Sequence, residues 1–197
     1  FYPPYIIRNS EEVPLKGNIG GRHGETYSHY EIVEKGLQFV RDNKDDPFFA
    51  YFPLTPPHGM FDIPSDDPAW NRYKGEAWVE DPSIDQDVKN YAAMCTMVDN
   101  NLGSILALLD ELGLSENTIV FFTGDNGGQE RFKSDEHPHG FFEPNVNPET
   151  RVVFRGGKGN LYEGGLKIPY LVQWPGKIEA GRVSDFVFTQ YDVMATL

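Results

Sequence analysis

Two adjacent polar residues, Asp125 and Asn126, follow the apolar run NTIVFFT and precede a pair of glycines. A carboxylate and an amide carbonyl are hard oxygen donors, which suit Ca²⁺ or Mg²⁺ rather than a soft metal. In open α/β sheets, ligands bind just beyond the carboxyl ends of strands, where these two residues are expected. The same residues also suit a simple turn, because Asp, Asn and Gly all favour turns. Two donors alone do not complete a site, since Ca²⁺ takes about 6–8 oxygens.

A lysine between glycines is the second candidate. Lys158 lies in RGGKGNLYEGG, where glycines let the backbone approach a ligand closely and leave the ammonium group unshielded. This position suits recognition of an anion, and a solvated loop lysine is the alternative interpretation. Further along the same run, Glu163 precedes Gly164 and Gly165. These three residues are expected to form a tight turn in which Glu163 is structural.

Among the histidines, His58 has the most informative surroundings. It follows Pro56 and Pro57 in TPPHGMF, and the two proline rings restrict the chain before it. Its imidazole could therefore be held as a general acid or a metal ligand, with an exposed loop histidine as the alternative. The pair His137 and His139 has no third ligand nearby in the sequence, so it is a poor zinc signal. The other histidines, His23 and His29, belong to no pattern.

Helical patterns predict two of the elements that must position these residues. Ser28 and Glu31 have capping-box spacing and begin a helix expected over about 28–43. A second, longer helix has apolar residues at spacings of four and three, and Gly113 is expected to end it as a C-cap. This apolar stripe consists of Ile84, Val88, Tyr91, Cys95, Val98, Leu102, Ile105, Leu109 and Leu112. Because Cys95 belongs to the stripe, it is expected to be buried in the core, where a thiol is inert.

Short apolar runs between the helices predict strands. Strands are expected at residues 47–54, 117–123, 169–175 and 183–188. Loops are expected over residues 1–25, 55–83 and 127–156, and a helix is expected to begin within 190–197. Strands that alternate with helices predict an α/β fold with a mostly parallel or mixed central sheet flanked by helices.

The composition excludes several functional classes. A chain of 197 residues can bury a substantial core, and its single Cys excludes an internal disulfide framework and a multi-cysteine zinc site. The net charge of −13 disfavours nucleic acids and anionic membranes as partners. No uninterrupted apolar run approaches the ~20 residues that span a bilayer. The first residues, FYPPYIIRNSEEVP, do not read as a signal peptide, and we expect the chain to be a piece of a longer protein.

Three runs of the sequence together resemble the sulfatase family of the alkaline-phosphatase-like superfamily. These runs are YAAMCTMVDNNLGSILALLDELGLSENTIVFFTGDNGG, FRGGKGNLYEGGLKIPYLVQWPG and FFAYFPLTPPHGMF. The resemblance extends over roughly residues 26–197 and is weaker in 60–83 and 129–150. It implies an alkaline-phosphatase-like α/β fold, with residues 1–197 as part of a single catalytic domain.

The resemblance also implies a role for each candidate residue. Asp125 and Asn126 correspond to ligands of the active-site Ca²⁺, with Mg²⁺ as the alternative. Lys158 corresponds to the lysine that contacts the sulfate group, and His58 to a candidate proton donor to the leaving oxygen. The implied activity is hydrolysis of a sulfate monoester of an aryl or carbohydrate substrate. A general acid helps because the bridging oxygen gains charge as the S–O bond breaks, and a metal ion with a lysine holds the other oxygens.

Two alternatives to a sulfatase are left open by the sequence. One is a phosphatase, phosphodiesterase or phosphonate hydrolase of the same superfamily. The other is a non-catalytic pseudoenzyme module that retains the fold. Segments 60–83 and 129–150 are expected to determine the substrate, and within the second of them Arg131, Lys133, His137 and His139 are candidates for contact with a sulfated sugar or an aryl group.

One part of the family pattern is missing from this sequence. The family's nucleophile is a formylglycine made from Cys or Ser in a C/S-x-P/A-x-R motif, and no such motif occurs in the chain. We therefore expect the nucleophile, an Asp-Asp metal pair and a C-terminal subdomain to lie outside these residues. The isolated chain is expected to have negligible activity, because catalytic groups act as a unit. The resemblance further implies a periplasmic, secreted or lysosomal location.

Overall fold

A computed structural model of the protein describes residues 1–196, so Leu197, the last residue of the helix expected over 190–197, lies outside the described residues. The α-helices are α1 (Ser28–Asp42), α2 (Ala77–Glu80), α3 (Gln86–Glu111), α4 (Glu163–Leu166) and α5 (Val193–Thr196). The strands are β1 (Tyr5–Arg8), β2 (Glu11–Pro14), β3 (Val120–Thr123) and β4 (Tyr170–Gln173). Short 3₁₀ helices occupy Pro68–Tyr73, Ser115–Asn117 and Gln190–Asp192.

The first predicted helix is confirmed as α1, although its start differs from the expected capping box. Tyr27 is the N-cap residue and makes no side-chain capping bond. The Ser28 hydroxyl instead donates to the carbonyl of Phe1 at 2.9 Å. On the inner face of α1, Val33 and Val40 are buried. The helix is therefore stabilised by its packing and by a bond to the N-terminal segment.

The long helix is confirmed as α3, and both of its ends follow the sequence signals. At its N-terminus the Asp85 carboxylate accepts from the backbone N–H of Asp87 at 2.9 Å, which satisfies one unpaired donor of the first turn. At its C-terminus Gly113 has a φ of 69°, the left-handed conformation that favours glycine. By length and composition alone α3 could also cross a membrane, a property it shares with the core helices of soluble proteins.

The buried face of α3 is not the one expected from the apolar stripe. Its buried residues are Val88, Lys89, Ala92, Ala93, Met94, Met97, Leu108 and Leu109, so only Val88 and Leu109 of the stripe are among them. The 3₁₀ helix Pro68–Tyr73 packs against α3, and Ala69 and Ala93 belong to the same core cluster with no exposed surface. The segment that covers α3 therefore buries a face other than the one of the apolar stripe.

The expectation that Cys95 is buried in the core is wrong. Its side chain is exposed on α3 and forms a hydrogen bond with Tyr91. Partial desolvation raises the pKa of the Cys95 thiol to about 11. At neutral pH little thiolate is therefore present, and this accounts for a low reactivity without burial in the core.

The predicted parallel or mixed central sheet is not seen among residues 1–196. The expected strands at 117–123 and 169–175 are confirmed in shorter form as β3 and β4, but they pair antiparallel, with Val120 opposite Gln173 and Thr123 opposite Tyr170. A second antiparallel pair, β1 with β2, occupies part of the segment expected to be a loop. Both pairs in the described structure are therefore antiparallel.

Two of the expected strands are absent from the described structure. Residues 47–54 and 183–188 form no strand within residues 1–196. In the first segment, Phe48 and Phe52 pack against the cluster around Val40, whereas Tyr51 is 77% exposed. The alternation of buried and exposed side chains is thus that of a strand, but the segment has no paired neighbour in the described structure.

The loop predictions are correct for one segment and wrong for two. Residues 127–156 are irregular apart from an isolated bridge between Val146 and Val153. Residues 1–25 contain the hairpin of β1 and β2, and 55–83 contain α2 and a 3₁₀ helix. In the 3₁₀ helix, the Asp67 carboxylate accepts from the backbone N–H of Ala69 at 2.7 Å. This capping bond is the local signal for helical structure in a segment that composition alone identifies as a loop.

A buried histidine, His29, joins α1 to α3. It is 3% exposed, and Asn101 Nδ2 lies 2.7 Å from its Nε2. An amide nitrogen can only donate, so Nε2 accepts and the imidazole is neutral. Burial lowers the pKa of His29 from 6.5 to about 4, opposed by the negative charge of Asp67.

Protonation of His29 should make the folded state less stable at acidic pH. The unfolded chain binds this proton near pH 6.5 and the folded chain near pH 4, so the stabilisation is fully present above pH 6.5 and is lost as the pH falls towards 4. A shift of this size corresponds to about 3 kcal/mol in the free energy of unfolding. Denaturant unfolding at a series of pH values measures it.

A His29→Gln variant is the control for this titration. The variant should be less stable than the unmodified protein. Its free energy of unfolding should change less between pH 6.5 and 4, because the variant lacks the titrating group. Parallel pH dependences of the two proteins would show that the loss of stability comes from other groups.

Candidate active site

The loop after β3 presents the two predicted oxygen donors. Asp125 is exposed and Asn126 is half-buried. Asn126 Nδ2 donates to the carbonyl of Gly127 at 3.0 Å, which leaves the amide oxygen as an acceptor for another ligand. Within residues 1–196 the Asp125 carboxylate has no hydrogen-bond or ion-pair partner. Both side chains therefore have oxygen atoms free to bind a cation.

The backbone of the same loop is in direct contact with the backbone of α4. The backbone N–H of Gly127 donates to the carbonyl of Gly165 at 2.9 Å. A Cβ added at Gly127 would lie 2.0 Å from the carbonyl oxygen of Gly164, too close for any side chain. The expected tight turn at Glu163 is one turn of helix, α4, in which Glu163 and Lys167 form an exposed ion pair at 3.8 Å. The glycines of both segments are thus needed for the contact.

Lys158 lies directly beside this loop. Its backbone N–H donates to the carbonyl of Gly128 at 2.9 Å, and its side chain is exposed. The ammonium group has no ion-pair partner among the described residues. Next to it Gly159 has a φ of 89°, a conformation that requires glycine. The structure therefore joins the backbone of the predicted anion-binding lysine to the loop that carries the predicted oxygen donors.

A buried asparagine that the sequence did not single out connects the two loops. Asn145 is 2% exposed, and its Nδ2 donates to the carbonyls of Gly128 at 3.1 Å and Gly156 at 3.3 Å. Its own backbone carbonyl accepts from Phe154 at 2.8 Å. One side chain thus fixes the distance between the loop of Asp125 and the loop of Lys158. Asn145 is one of two asparagines between Pro144 and Pro148, and nothing in the sequence distinguishes it for this role.

The turn that carries His58 adjoins the segment following Gly128. His58 is exposed, and the turn is anchored by buried residues on either side, Pro56 and Phe61. A Cβ added at Gly59 would lie 3.6 Å from Nη2 of Arg131. Arg131 therefore lies beside the turn of His58, whereas no hydrogen bond, ion pair or ring contact among the described residues joins His58 itself to Asp125, Asn126 or Lys158.

The other charged candidates of segment 129–150 bind one another rather than lining the same surface. Lys133 forms a hydrogen bond and ion pair with Glu130, and His139 Nδ1 lies 3.4 Å from the other oxygen of Glu130. The hydrogen bond from Lys133 lowers the pKa of the Glu130 carboxyl below its usual value. His137 packs against the ring of Phe141 with centroids 4.8 Å apart. Glu130, which sequence reasoning overlooked, therefore orients two of these candidates.

The donor atoms near Asp125 fit a hard cation in type but not in number. Asp125 and Asn126 offer carboxylate and amide oxygens, the donors that Ca²⁺ and Mg²⁺ prefer. Within residues 1–196, no group of three or more His, Cys, Asp or Glu side chains could hold a metal ion. These two residues would therefore supply only part of a coordination sphere that needs about six or more ligands.

Comparison with known proteins gives one consistent result. A family model described as Sulfatase matches residues 2–197. The chain is 30% identical over 167 residues to the N-acetylgalactosamine-6-O-sulfatase of Bacteroides thetaiotaomicron, covering 84% of this chain and 29% of that protein. It is 37% identical over 167 residues to the steryl-sulfatase of Rattus norvegicus, covering 84% of this chain and 25% of that protein.

Solved structures give the same result. The crystal structure of the PsFucS1 sulfatase from Pseudoalteromonas sp. matches with a TM-score of 0.60 and 26% sequence identity, over 88% of this chain and 29% of that one. The chain thus spans between a quarter and a third of the length of these relatives.

Proposed function

Since the chain belongs to the sulfatase family, we propose that it is part of a catalytic domain that hydrolyses sulfate monoesters. The contact between the two site loops is the observation that carries this proposal. The hydrogen bond of 2.9 Å from the Lys158 backbone to Gly128 supports it, because this bond joins the loop of an exposed lysine to the loop that carries two oxygen donors. A loop that binds a cation and a nearby lysine could together bind the oxygen atoms of one anion, such as a sulfate group.

In the proposed mechanism each residue of this chain has a separate task. Lys158 binds the non-bridging sulfate oxygens and stabilises the charge that develops on them. His58, in its protonated form, donates a proton to the bridging oxygen as the bond between this oxygen and sulfur breaks, so that the alcohol leaves neutral. Asp125 and Asn126 would hold Ca²⁺, with Mg²⁺ as the alternative, which supplies positive charge opposite the sulfate oxygens.

The rest of the proposed catalytic machinery lies outside this chain. The nucleophile is a formylglycine formed from a Cys or Ser elsewhere in the protein, since these residues contain no motif for it. The substrate is an aryl or carbohydrate sulfate ester, a class supported by relatives named for an aminosugar and a steryl sulfate. The family also supports a periplasmic, secreted or lysosomal location.

Turnover of a matched pair of esters tests the proposed activity. For the complete enzyme that contains this chain, kcat/KM for 4-nitrophenyl sulfate should exceed that for 4-nitrophenyl phosphate, because the site is proposed to bind a singly charged ester group. Release of nitrophenol from each ester measures both values. The Lys158→Ala variant, purified in parallel, reports any contaminating hydrolase.

The two alternatives give different results in the same experiment. A preference for the phosphate ester would identify a phosphatase of the same superfamily. No turnover of either ester by a protein that carries formylglycine, as detected by mass spectrometry, would identify a non-catalytic module.

A further inference from the structure

Arg131 is a cation placed beside the proposed general acid. Its Nη2 would lie 3.6 Å from a Cβ added at Gly59, the residue after His58. Its guanidinium carbon lies 5.1 Å from the centroid of the Phe61 ring. The Arg131 backbone is fixed as well, because its carbonyl accepts from the N–H of Phe141 at 3.2 Å. The Arg131 side chain is thus held beside the turn that carries His58.

No carboxylate of the described residues neutralises Arg131. Its neighbours in the same segment are paired, since Lys133 binds Glu130 and Arg151 binds Glu143 at 2.7 Å. Arg131 itself is half-buried; it lies against the ring of Phe61, and its positive charge opposes the rise in the pKa of the Tyr91 hydroxyl group that burial causes. In a chain with a net charge of −13, an arginine without an acidic partner is available for an anionic ligand.

Aromatic side chains surround Arg131 and form a small cleft with it. The cleft is lined by Tyr91, Gln129, Arg131, Phe132, Phe142 and Pro144. The rings of Tyr91 and Phe142 are stacked with centroids 5.2 Å apart, and Phe132 lies 5.3 Å from Phe61. The free volume of the cleft is about 10 Å³, room for about one water molecule, so these packed rings fix the position of Arg131 and do not accommodate a sugar or an aryl ring.

From this arrangement we propose that Arg131 binds a second anionic group on the alcohol part of the substrate. The ring that carries this group would lie outside the aromatic cleft, and the group itself is a carboxylate or a second sulfate. Planar guanidinium donors bind either anion with two parallel hydrogen bonds. The inference rests on the proposed function and specifies its substrate class as sulfate esters whose alcohol part is itself negatively charged.

Paired substrates that differ only in the second charge test this inference in the complete enzyme. The probes are 3- and 4-carboxyphenyl sulfate, the corresponding carbamoylphenyl sulfates, and the disulfate esters of 1,3- and 1,4-dihydroxybenzene. The measured quantity is the ratio of kcat/KM for a carboxyphenyl sulfate or a disulfate to that for the carbamoylphenyl sulfate with the same ring positions, whose only charge is on the reacting sulfate group. The carboxyphenyl sulfates and the disulfates together show which second anion is preferred. The leaving groups differ in intrinsic reactivity, and comparing the same ratio between enzyme variants cancels this difference.

The Arg131→Gln variant should lower this ratio by about tenfold or more, the effect of losing a charge-assisted hydrogen bond. Arg131→Lys should retain part of the preference, because it keeps the charge but loses the planar pair of donors. The matched control is Lys133→Gln, which removes one positive charge from an exposed ion pair in the same segment. It should change the ratio by less than about twofold.

Three other outcomes would contradict the role of Arg131 or the proposed function. A ratio that Arg131→Gln leaves unchanged, or an equal loss with both members of a pair, would overturn the inference about Arg131. A larger effect of Lys133→Gln would assign the second anion to Lys133 instead. If the unmodified enzyme hydrolyses none of the six sulfates, the proposed function itself is wrong.

Discussion

Replacing Lys158 with alanine should lower kcat/KM for an aryl sulfate by about 10²- to 10³-fold, the usual cost of removing one preorganised donor from a developing negative charge. The Lys158 ammonium group is exposed and has no partner in the described part of the chain. The loop is held through its backbone bond to Gly128, which alanine retains. The loss should therefore come from the missing charge, and steady-state kinetics of the complete enzyme measure it.

Two further lysine variants separate this effect from a general change in charge. Lys158→Arg should lie between the unmodified enzyme and Lys158→Ala, because arginine keeps the positive charge but has a wider, planar head group. Lys177→Ala is the matched control, since Lys177 is an exposed lysine in the turn after β4. If Lys177→Ala and Lys158→Ala reduce the rate equally, Lys158 has no special role in sulfate binding.

Replacing Gly127 with alanine should separate the Asp125 loop from α4 and lower the free energy of unfolding by about 3 kcal/mol. The added methyl group would lie 2.0 Å from the Gly164 carbonyl oxygen and 2.7 Å from the Gly165 carbonyl carbon. Both are backbone atoms, so no side-chain rotation can relieve the overlap. Denaturant unfolding measures the loss of stability, and activity should fall with it because Asp125 and Asn126 would be displaced.

A neighbouring glycine provides the matched control for this prediction. At Gly124 an added Cβ would meet its nearest atom, the Asn126 carbonyl oxygen, at 3.6 Å, an ordinary contact. Gly124→Ala should therefore change the free energy of unfolding by less than about 1 kcal/mol. The steric explanation is wrong if Gly127→Ala is as stable as Gly124→Ala.

Helix prediction succeeded here because its signals are local. The spacing of apolar residues in α3 and the left-handed Gly113 at its end are local features of the helix. The buried face of α3 was harder to predict, because Ala93 is buried in a cluster that includes Ala69, a residue from a different segment. Periodicity identifies a helix, but the neighbouring segment determines which of its faces is covered.

Strand prediction failed where pairing decides the outcome. Residues 47–54 have the composition and alternation of a strand, yet no described strand pairs with them. For β3 and β4 the strands themselves were predictable, but their antiparallel direction depends on the path of some 40 irregular residues between them. Strand direction is a property of two distant segments and is not encoded in either one alone.

The exposed residues of the candidate site could be predicted from the sequence, but the buried residue that holds its loops could not. The types and glycine-rich surroundings of Asp125, Asn126 and Lys158 suggested chemistry from the sequence alone. Asn145 had no such surroundings, and only its two bonds to Gly128 and Gly156 identify it. Buried polar residues that fix the loops of a site are identified by their contacts, and a single sequence does not show those contacts.

The position of Asn145 has a thermodynamic consequence. Because one amide group restrains both the Asp125 loop and the Lys158 loop, ordering of either loop reduces the conformational entropy still to be lost by the other. Binding of a cation and binding of a sulfate ester should then be positively coupled, each increasing the affinity for the other by the same factor. Asn145 would then couple the two binding affinities although it contacts neither ligand.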